Sequence, residues 1–295
     1  SKSALEPRVA LDVSVAHASH KRPGRDRLTI IPRGFLPTMP QLTAIARFPV
    51  KGFGPDRLDQ VELTAGQALP LDRKWAIENG PGAFDPVQPV HVKKKHFLML
   101  AGQTGLAQLA CQFDAAGEHF AVRFPDGETI TIALGEAASH APLFARLETL
   151  LGEEVRGTLR IAHVPGQALT DIPDPHISLI NAASVRDLEA RTGHAIDPLR
   201  FRGNLLIDGL EPWAEFGWIG RDVMIGDVRL RGQSRIRRCV ATSINPATAQ
   251  CDIDLPAALM THYGHADCGI YMSVETNDMM AIGDGVVAGA VAVNQ

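Results

Sequence analysis

One cysteine in this chain stands where a thiolate would be stabilised. Cys239 follows Arg237 and Arg238 at the entry to a predicted strand over residues 238–243. Cationic neighbours favour the thiolate form of a cysteine. A thiolate is a soft ligand that suits a transition metal, and it can also carry a persulfide. A buried strand cysteine whose flanking arginines face solvent is the alternative that these residues leave open.

A second segment places two guanidinium groups close together in the sequence. Arg200 and Arg202 lie two residues apart, so that in a strand both side chains point to one face. Guanidinium forks on one face suit phosphate or carboxylate. Asn204 falls on the same predicted face and adds donors. A solvated strand face is the alternative.

Two further cations stand at predicted strand ends beside turns in the first half of the chain. They are Lys51, in Pro49-Val50-Lys51, and Arg73, in Leu71-Asp72-Arg73. Either is weak evidence alone. Together with Cys239 and the arginine pair, they would suit an anionic, phosphate-bearing ligand that carries a metal.

The other cysteines do not indicate a second functional site. The chain has four cysteines, at positions 111, 239, 251 and 268, and none forms a C-x-x-C pair. A zinc site or an iron–sulfur cluster built from this chain alone is therefore not expected. A disulfide framework is not expected in a chain this long with so few cysteines. We expect free thiols and a reducing, cytoplasmic setting.

Composition favours an ordinary globular protein over a nucleic-acid-binding or membrane-spanning one. The chain has 295 residues, is 45% hydrophobic and 21% charged, and carries a net charge of −4. General nucleic-acid binding usually needs a basic surface. No apolar run approaches the roughly 18 residues of a spanning helix. Residues 1–40 hold seven Lys and Arg against three acids with poor periodicity, and are interpreted as an N-terminal extension.

The elements that must position these residues are mostly short strands. Hydrophobic alternation and turn signals predict strands at 42–48, 58–63, 75–78, three within 106–134, 201–207, 223–230, 238–243, 270–274 and 285–293. Helical spacing and caps predict helices at 142–151, from 184 to just before Gly193, and at 255–262. Many short strands with few helices favour β-barrels over alternating βαβ units.

The order of these motifs resembles the MOSC family, named for the C-terminal domain of molybdenum cofactor sulfurase. The nearest group is the mitochondrial amidoxime-reducing branch with its bacterial relatives. The residues that carry the resemblance are Phe48-Pro-Val-Lys51, Leu71-Asp72-Arg73-Lys-Trp75, Arg200-Phe-Arg202-Gly-Asn204, Glu211-Pro, Ile225-Gly-Asp227, Arg238-Cys239, Asn245-Pro246, Tyr263-Gly264 and Ala281-Ile-Gly-Asp284. It implies a mainly β (α+β) fold with a few short helices: a MOSC N-terminal β-barrel domain at 41–165 and a MOSC β-barrel domain at 166–295.

The resemblance also implies roles for individual residues. The cysteine that matches Cys239 ligates molybdenum in that branch, which makes Cys239 the expected catalytic metal ligand and not a nucleophile. The expected contacts to the phosphate and pterin of the molybdopterin cofactor are Lys51, Arg73, Arg200, Arg202, Asn204 and Arg238. Departures from the family pattern, at Gly52, Gly203, Ile236 and Arg237, leave the thiol intact but bear on the polarity of the pocket.

The implied activity is that of a molybdenum-dependent oxidoreductase. It would remove oxygen from N-hydroxylated or related N- or S-oxygenated small molecules. The sequence has no flavin or haem fingerprint, so electrons would come from an external donor such as a ferredoxin or a cytochrome b5-type protein. Two rival readings stay open: a carrier of persulfide sulfur or of the cofactor, and a scaffold without cofactor.

Overall fold

The fold was described from a computed structural model of the chain. It describes residues 39–80, 82, 94–166 and 168–289, which belong to a compact unit spanning Thr38–Gln295. All but the last two residues of the predicted N-terminal extension, 1–40, lie outside the described residues. The strands are β1 Gln41–Arg47, β2 Asp56–Leu58, β3 Gln60–Leu63, β4 Trp75–Asn79, β5 Ala110–Asp114, β6 His119–Arg123, β7 Thr129–Ala133, β8 Leu159–His163, β9 Ile177–Asn181, β10 Leu205–Asp208, β11 Asp222–Ile225, β12 Val228–Arg237, β13 Asp267–Val274, β14 Asp278–Ala281 and β15 Val286–Ala288.

Three α-helices and several single 3-10 turns complete the described part. The helices are α1 Ala141–Leu151, α2 Ala182–Thr192 and α3 Leu255–Tyr263. The 3-10 turns are Lys94–His96, Thr104–Gln108, Ala137–Ser139, Gly152–Glu154, Pro198–Phe201, Ala214–Trp218 and Val240–Ser243. Within the described ranges, no helix combines the length and apolar character needed to span a bilayer.

The helix ends follow from their capping residues. Asn181 accepts a hydrogen bond from the backbone of Ala183 at the start of α2, and Asp254 accepts one from Ala257 at the start of α3. Each of these helices stops at a glycine in the left-handed region, Gly193 after α2 and Gly264 after α3. The three predicted helices are therefore present within a few residues of their expected bounds.

An eight-stranded sheet dominates the structure. Its strand order is β15-β11-β12-β13-β9-β10-β1-β2, and only the β9–β10 pair runs parallel among the described strands. Strands from residues 41–58 thus lie in the same sheet as strands from the second half of the chain. In the same way β3 pairs with β14. The predicted domain boundary at 165/166 stays a prediction.

The mainly β character with a few short helices is confirmed, while the two closed barrels stay a prediction. An isolated bridge joins Gln41 to Gly285, just before β15. In the described part, however, the end strands β15 and β2 of the large sheet do not pair with each other. The other sheets are the pair β4–β8, the pair β3–β14 and the meander β5-β6-β7.

Two large apolar cores support the sheets. One packs against a face of the large sheet and includes Leu42, Leu179, Leu230 and Met272. The other lies among residues 50–159, where Phe53, Trp75 and Phe120 pack with the apolar side of α1. Segments adjoining both cores supply the side chains that line a cleft.

Candidate functional site

A cleft of about 1030 Å³ brings together all seven residues predicted from the sequence. Segments 51–52, 72–73 and 99–101 contribute to its wall from the first half of the chain. Segments 170–178, 200–204 and 236–242 contribute from the second half. The predicted residues in the wall are Lys51, Arg73, Arg200, Arg202, Asn204, Arg238 and Cys239.

Arg200 and Arg202 reach the cleft from a turn, and the strand predicted over 201–207 begins later than expected. Asp197 accepts a hydrogen bond from the backbone of Leu199 at 2.8 Å, which starts the 3-10 turn Pro198–Phe201. Arg202 ends that turn in the left-handed conformation, with φ of 49°. The two guanidinium groups therefore share a cleft without sharing a strand face. The strand itself is β10, from Leu205 to Asp208.

Cys239 lies just beyond a strand, not at the entry to one. Strand β12 ends at Arg237, and the 3-10 turn Val240–Ser243 follows. The prediction of a strand over 238–243 is wrong because Thr242 turns back on the chain. Its backbone N–H and its hydroxyl donate to the carbonyl of Cys239 at 3.0 and 2.9 Å. The cysteine is exposed and contributes to the cleft wall.

Arg200 is the most deeply buried of the cations in the cleft. Its side chain is 2% exposed, and it makes a two-pronged ion pair with Asp252 at 2.8 Å for each contact. Nη1 also donates to the carbonyl of Ser243 at 3.1 Å. This guanidinium lowers the pKa of the Asp252 carboxyl to about 2. Its Nε is buried and has no hydrogen-bond acceptor among the described residues, so one donor of a buried cation remains available.

Arg73 and Arg202 lie over the same aromatic ring. Their guanidinium carbons stand 4.5 and 4.1 Å from the centroid of Phe48. Arg73 donates to the carbonyl of Arg202 at 2.9 Å and pairs with Asp72, while Arg202 donates to the carbonyl of Phe53 at 2.7 Å. Burial, together with the neighbouring charge of Arg73, lowers the pKa of Arg202 to about 9. The arrangement concentrates positive charge, and a bound anion would offset the repulsion between the two guanidinium groups.

Lys51 and Arg238 are held by acceptors on either side of the cleft. The ammonium of Lys51, a buried residue, donates to the carbonyl of Leu169 at 2.9 Å and to Oδ1 of Asp171 at 2.6 Å. Arg238 donates to the carbonyls of Cys268 and Phe201, each at 2.8 Å. Burial lowers the pKa of Arg238.

Asn204 contributes to the cleft wall, but its side chain is engaged by the backbone around it. Oδ1 accepts from the backbone N–H of Ser178 at 3.0 Å and from its hydroxyl at 2.7 Å. Nδ2 donates to the carbonyl of Ala46 at 3.1 Å. Asn204 thus ties β9 to β1 beneath the cleft. Through these contacts Asn204 positions the two strands relative to each other.

Sequence reasoning missed several residues in the cleft wall, among them Asp171, His176 and Tyr271. Asp171 lies in an irregular segment with no periodic pattern, so nothing local pointed to it. Tyr271 alternates with the buried residues Ile270 and Met272 along β13. That alternation, in a predicted strand, was a signal that could have placed the ring on the opposite face. The rings of His176 and Tyr271 lie 6.2 Å apart.

The charge balance of the wall defines what the cleft can bind. Among the described residues, six cations line it, namely Lys51, Arg73, Arg200, Arg202, Arg237 and Arg238, against the two carboxylates of Asp72 and Asp171. This local excess of positive charge occurs in a chain whose net charge is −4. Such a cleft attracts a polyanion. An exposed cysteine in the same wall adds a ligand for a soft metal.

One domain family and several curated proteins match part of this chain. The MOSC domain family matches residues 166–287, a range that includes Arg200, Arg202, Asn204, Arg238 and Cys239. Mitochondrial amidoxime reducing component 2 of Rattus norvegicus is 30% identical over 122 residues. Mitochondrial amidoxime-reducing component 1 of Mus musculus is 28% identical over 120 residues. These alignments cover 37% of this chain and 36% and 35% of the two relatives, so the chain aligns with about a third of their length.

Two solved structures of bacterial proteins match parts of this chain. The YUAD protein from Bacillus subtilis matches 84% of this chain and 94% of its own, with a TM-score of 0.40 and 13% sequence identity. YiiM from Geobacillus stearothermophilus matches 40% of this chain and 56% of its own, with a TM-score of 0.32 and 19% identity.

Proposed function

The chain belongs to the MOSC family through its domain at residues 166–287, and from that premise we propose that it binds a molybdenum cofactor in the cleft and acts as an oxidoreductase. The observation that carries the proposal is the meeting of one thiol, Cys239, with a group of buried or half-buried cations in one cleft. The relatives that it resembles are named for the reduction of amidoximes.

The residues present fit such a cofactor. A molybdopterin is a phosphate-bearing group, and the cleft offers six cations against two carboxylates. The buried Nε of Arg200 has no acceptor among the described residues, which fits a wall built to receive one from a ligand. Cys239 supplies the thiolate that a soft transition metal prefers.

Each residue then has a task that its contacts support. Cys239 would be the catalytic metal ligand at the exposed side of the wall. Lys51, Arg73, Arg200, Arg202 and Arg238 would hold the phosphate and pterin, and Asn204 would keep the strands beneath them in place. When bound, the cofactor supplies two-electron chemistry that removes oxygen from an N-hydroxylated or related N- or S-oxygenated small molecule.

Electrons for this reaction would come from outside the chain. We propose an external donor such as a ferredoxin or a cytochrome b5-type protein. The exposed position of Cys239 would also suit a rival function, in which the thiol carries a persulfide or the chain delivers the cofactor to another enzyme. The cytoplasmic location expected from the cysteines stays a prediction.

The test is the molybdenum content per chain after expression with ample molybdate. Wild type should contain close to one molybdenum per chain, and Cys239→Ser should lose it. Cys251→Ser is the matched control, because Cys251 is also exposed but does not line the cleft. Arg202→Ala should retain less cofactor than wild type. Absence of metal from wild type would overturn the oxidoreductase, and sulfide release under reductant would then favour the persulfide carrier.

A further inference from the structure

A second pocket adjoins the cleft and has a different chemical character. Its empty space, part of which is open to solvent, is about 640 Å³. Five residues of its wall also line the cleft: Gly52, Leu100, Arg200, Arg202 and Ala241. The two spaces are therefore neighbours across a shared partition that contains two guanidinium groups.

The remaining wall of this second pocket is apolar. Phe53, Leu106 and Leu109 come from the first half of the chain, and Leu199 and Ile244 come from the second. Arg200 and Arg202 are the only residues with polar side chains in its described wall, which holds no carboxylate, amide or hydroxyl side chain. Such a pocket favours an apolar group and offers hydrogen-bond donors, but no side-chain acceptor, at one end.

The two arginines differ in how far their donors are occupied. Arg202 donates from Nη1 to the carbonyl of Phe53, another residue of the pocket wall. Arg200 uses Nη1 and Nη2 for Ser243 and Asp252, but its buried Nε has no acceptor among the described residues. Both guanidinium groups are thus held at the partition by acceptors of the protein.

We propose that this pocket binds the apolar body of the substrate, an aromatic ring system or branched hydrocarbon, with its oxygen-bearing end directed past the shared partition into the cleft. This inference rests on the proposed function, since it names the class of substrate that the cleft receives. It assigns specificity to pocket residues that the proposed cofactor contacts do not include, above all Phe53, Leu106, Ala107 and Ile244.

Ala107 gives a direct test, because it lines the pocket but not the cleft and is only half-buried. Ala107→Phe should fill the pocket, and Ala107→Asp should place a charge in its wall without filling it. Ala110→Phe is the matched control, since Ala110 is exposed and lines neither space. The probe is 2-naphthamidoxime, whose naphthyl fluorescence reports binding to the purified chain, and acetamidoxime is the competitor without an apolar body.

The expected result is a loss of naphthamidoxime affinity of about 10-fold or more in both Ala107 variants, with no change in Ala110→Phe. Unchanged affinity in both Ala107 variants, or no binding of naphthamidoxime to wild type, would contradict the proposal that this pocket binds the substrate. In turnover, Ala107→Phe should raise KM for naphthamidoxime and leave KM for acetamidoxime unchanged. Molybdenum per chain should be the same in Ala107→Phe and wild type. If the cofactor proposal is wrong, wild type will contain no molybdenum, but the fluorescence binding experiment will still test the pocket.

Discussion

The ammonium of Lys51 lies 2.6 Å from Oδ1 of Asp171, within the cleft that gathers the other cations. The same ammonium donates to the carbonyl of Leu169, so the segment before β9 is attached to Lys51 at two points. Asp171 is about half exposed, whereas the Lys51 side chain is 10% exposed. A phosphate that approaches Lys51 must therefore compete with a carboxylate that is already there.

Asp171→Asn should strengthen anion binding by removing that competitor. An ion pair with an exposed partner is worth up to about 1 kcal/mol, which corresponds to roughly a fivefold effect at most. We expect pyrophosphate to bind the cofactor-free chain about twofold to fivefold more tightly in the variant, as measured by titration calorimetry. Lys51→Ala should weaken the same binding.

The control for this prediction is Asp174→Asn. Asp174 is exposed on the same segment and does not line the cleft. It changes the net charge by the same amount, so any general charge effect on anion binding appears in both variants. Equal tightening in Asp171→Asn and Asp174→Asn would show that the contact to Lys51 has no special part in it.

The ion pair between Arg200 and Asp252 should make stability depend on pH at the acid end. Arg200 lowers the pKa of Asp252 to about 2, below the ordinary 3.8. A carboxyl with a depressed folded pKa contributes stability that is fully present above the unfolded value and is lost as the pH falls toward the folded value. The contribution should therefore be intact above about pH 5 and disappear between about pH 4 and pH 2.

Asp252→Asn tests this, since the amide cannot ionise. The variant should have a lower urea midpoint than wild type at pH 7, and the difference should shrink as the pH falls toward 3. A difference that stays constant from pH 7 to pH 3 would contradict the linkage. Molybdenum content measured in parallel would show whether the ion pair also positions Arg200 for its ligand.

Asn204 should matter for stability at least as much as for ligand binding. Asn204→Asp keeps the acceptor for Ser178 but replaces the donor to Ala46 with an oxygen that faces a carbonyl. We expect a loss of about 2–3 kcal/mol in the free energy of unfolding, because a buried hydrogen bond is broken and a charge is enclosed. Urea denaturation at pH 7 measures it. Asn277→Asp, where the exposed side chain accepts from Ala65, should change stability by less than about 0.5 kcal/mol.

The sequence was sufficient to predict the helices, the meander and the set of cationic residues. The helices carried their own caps, as at Asn181 and Gly193. The meander carried the turn at Asp126 and Gly127 between β6 and β7. Both signals are local, so a single sequence contains them. The seven candidate residues were chosen partly by type, as cations, an amide and a thiol in a net acidic chain, and partly by the resemblance to the MOSC family.

Local signals could not predict how distant segments meet. The parallel pairing of β9 with β10 and the antiparallel pairing of β1 with β10 join residues far apart in the chain, and alternation alone does not fix such partners. The left-handed conformation of Arg202 interrupts the segment 201–207, whose residue pattern predicted a continuous strand. The pairing of Asp171 with Lys51 spans 120 positions and depends on an irregular segment. These contacts determine which residues line the cleft, and they form only when the whole chain has folded.

Phe48 should influence anion binding although it carries no charge. Its ring lies under the guanidinium groups of both Arg73 and Arg202, and the contact to each cation favours keeping these two like charges near each other. Each cation–π contact is worth about 0.5–1 kcal/mol at an exposed site and more when buried. Phe48→Leu should therefore weaken pyrophosphate binding to the cofactor-free chain by about 3-fold to 10-fold, as measured by titration calorimetry.

Phe124→Leu separates this effect from the loss of an aromatic side chain in general. Phe124 is also buried and lies 4.8 Å from the guanidinium carbon of Arg146, but Arg146, unlike Arg73 and Arg202, does not line the cleft. Both variants should lose stability by about 1 kcal/mol, since each exchanges a buried ring for a smaller side chain. Only Phe48→Leu should lose affinity for pyrophosphate. If both variants bind it as wild type does, the ring does not position the two guanidinium groups, and their own hydrogen bonds to Arg202 and Phe53 carbonyls suffice.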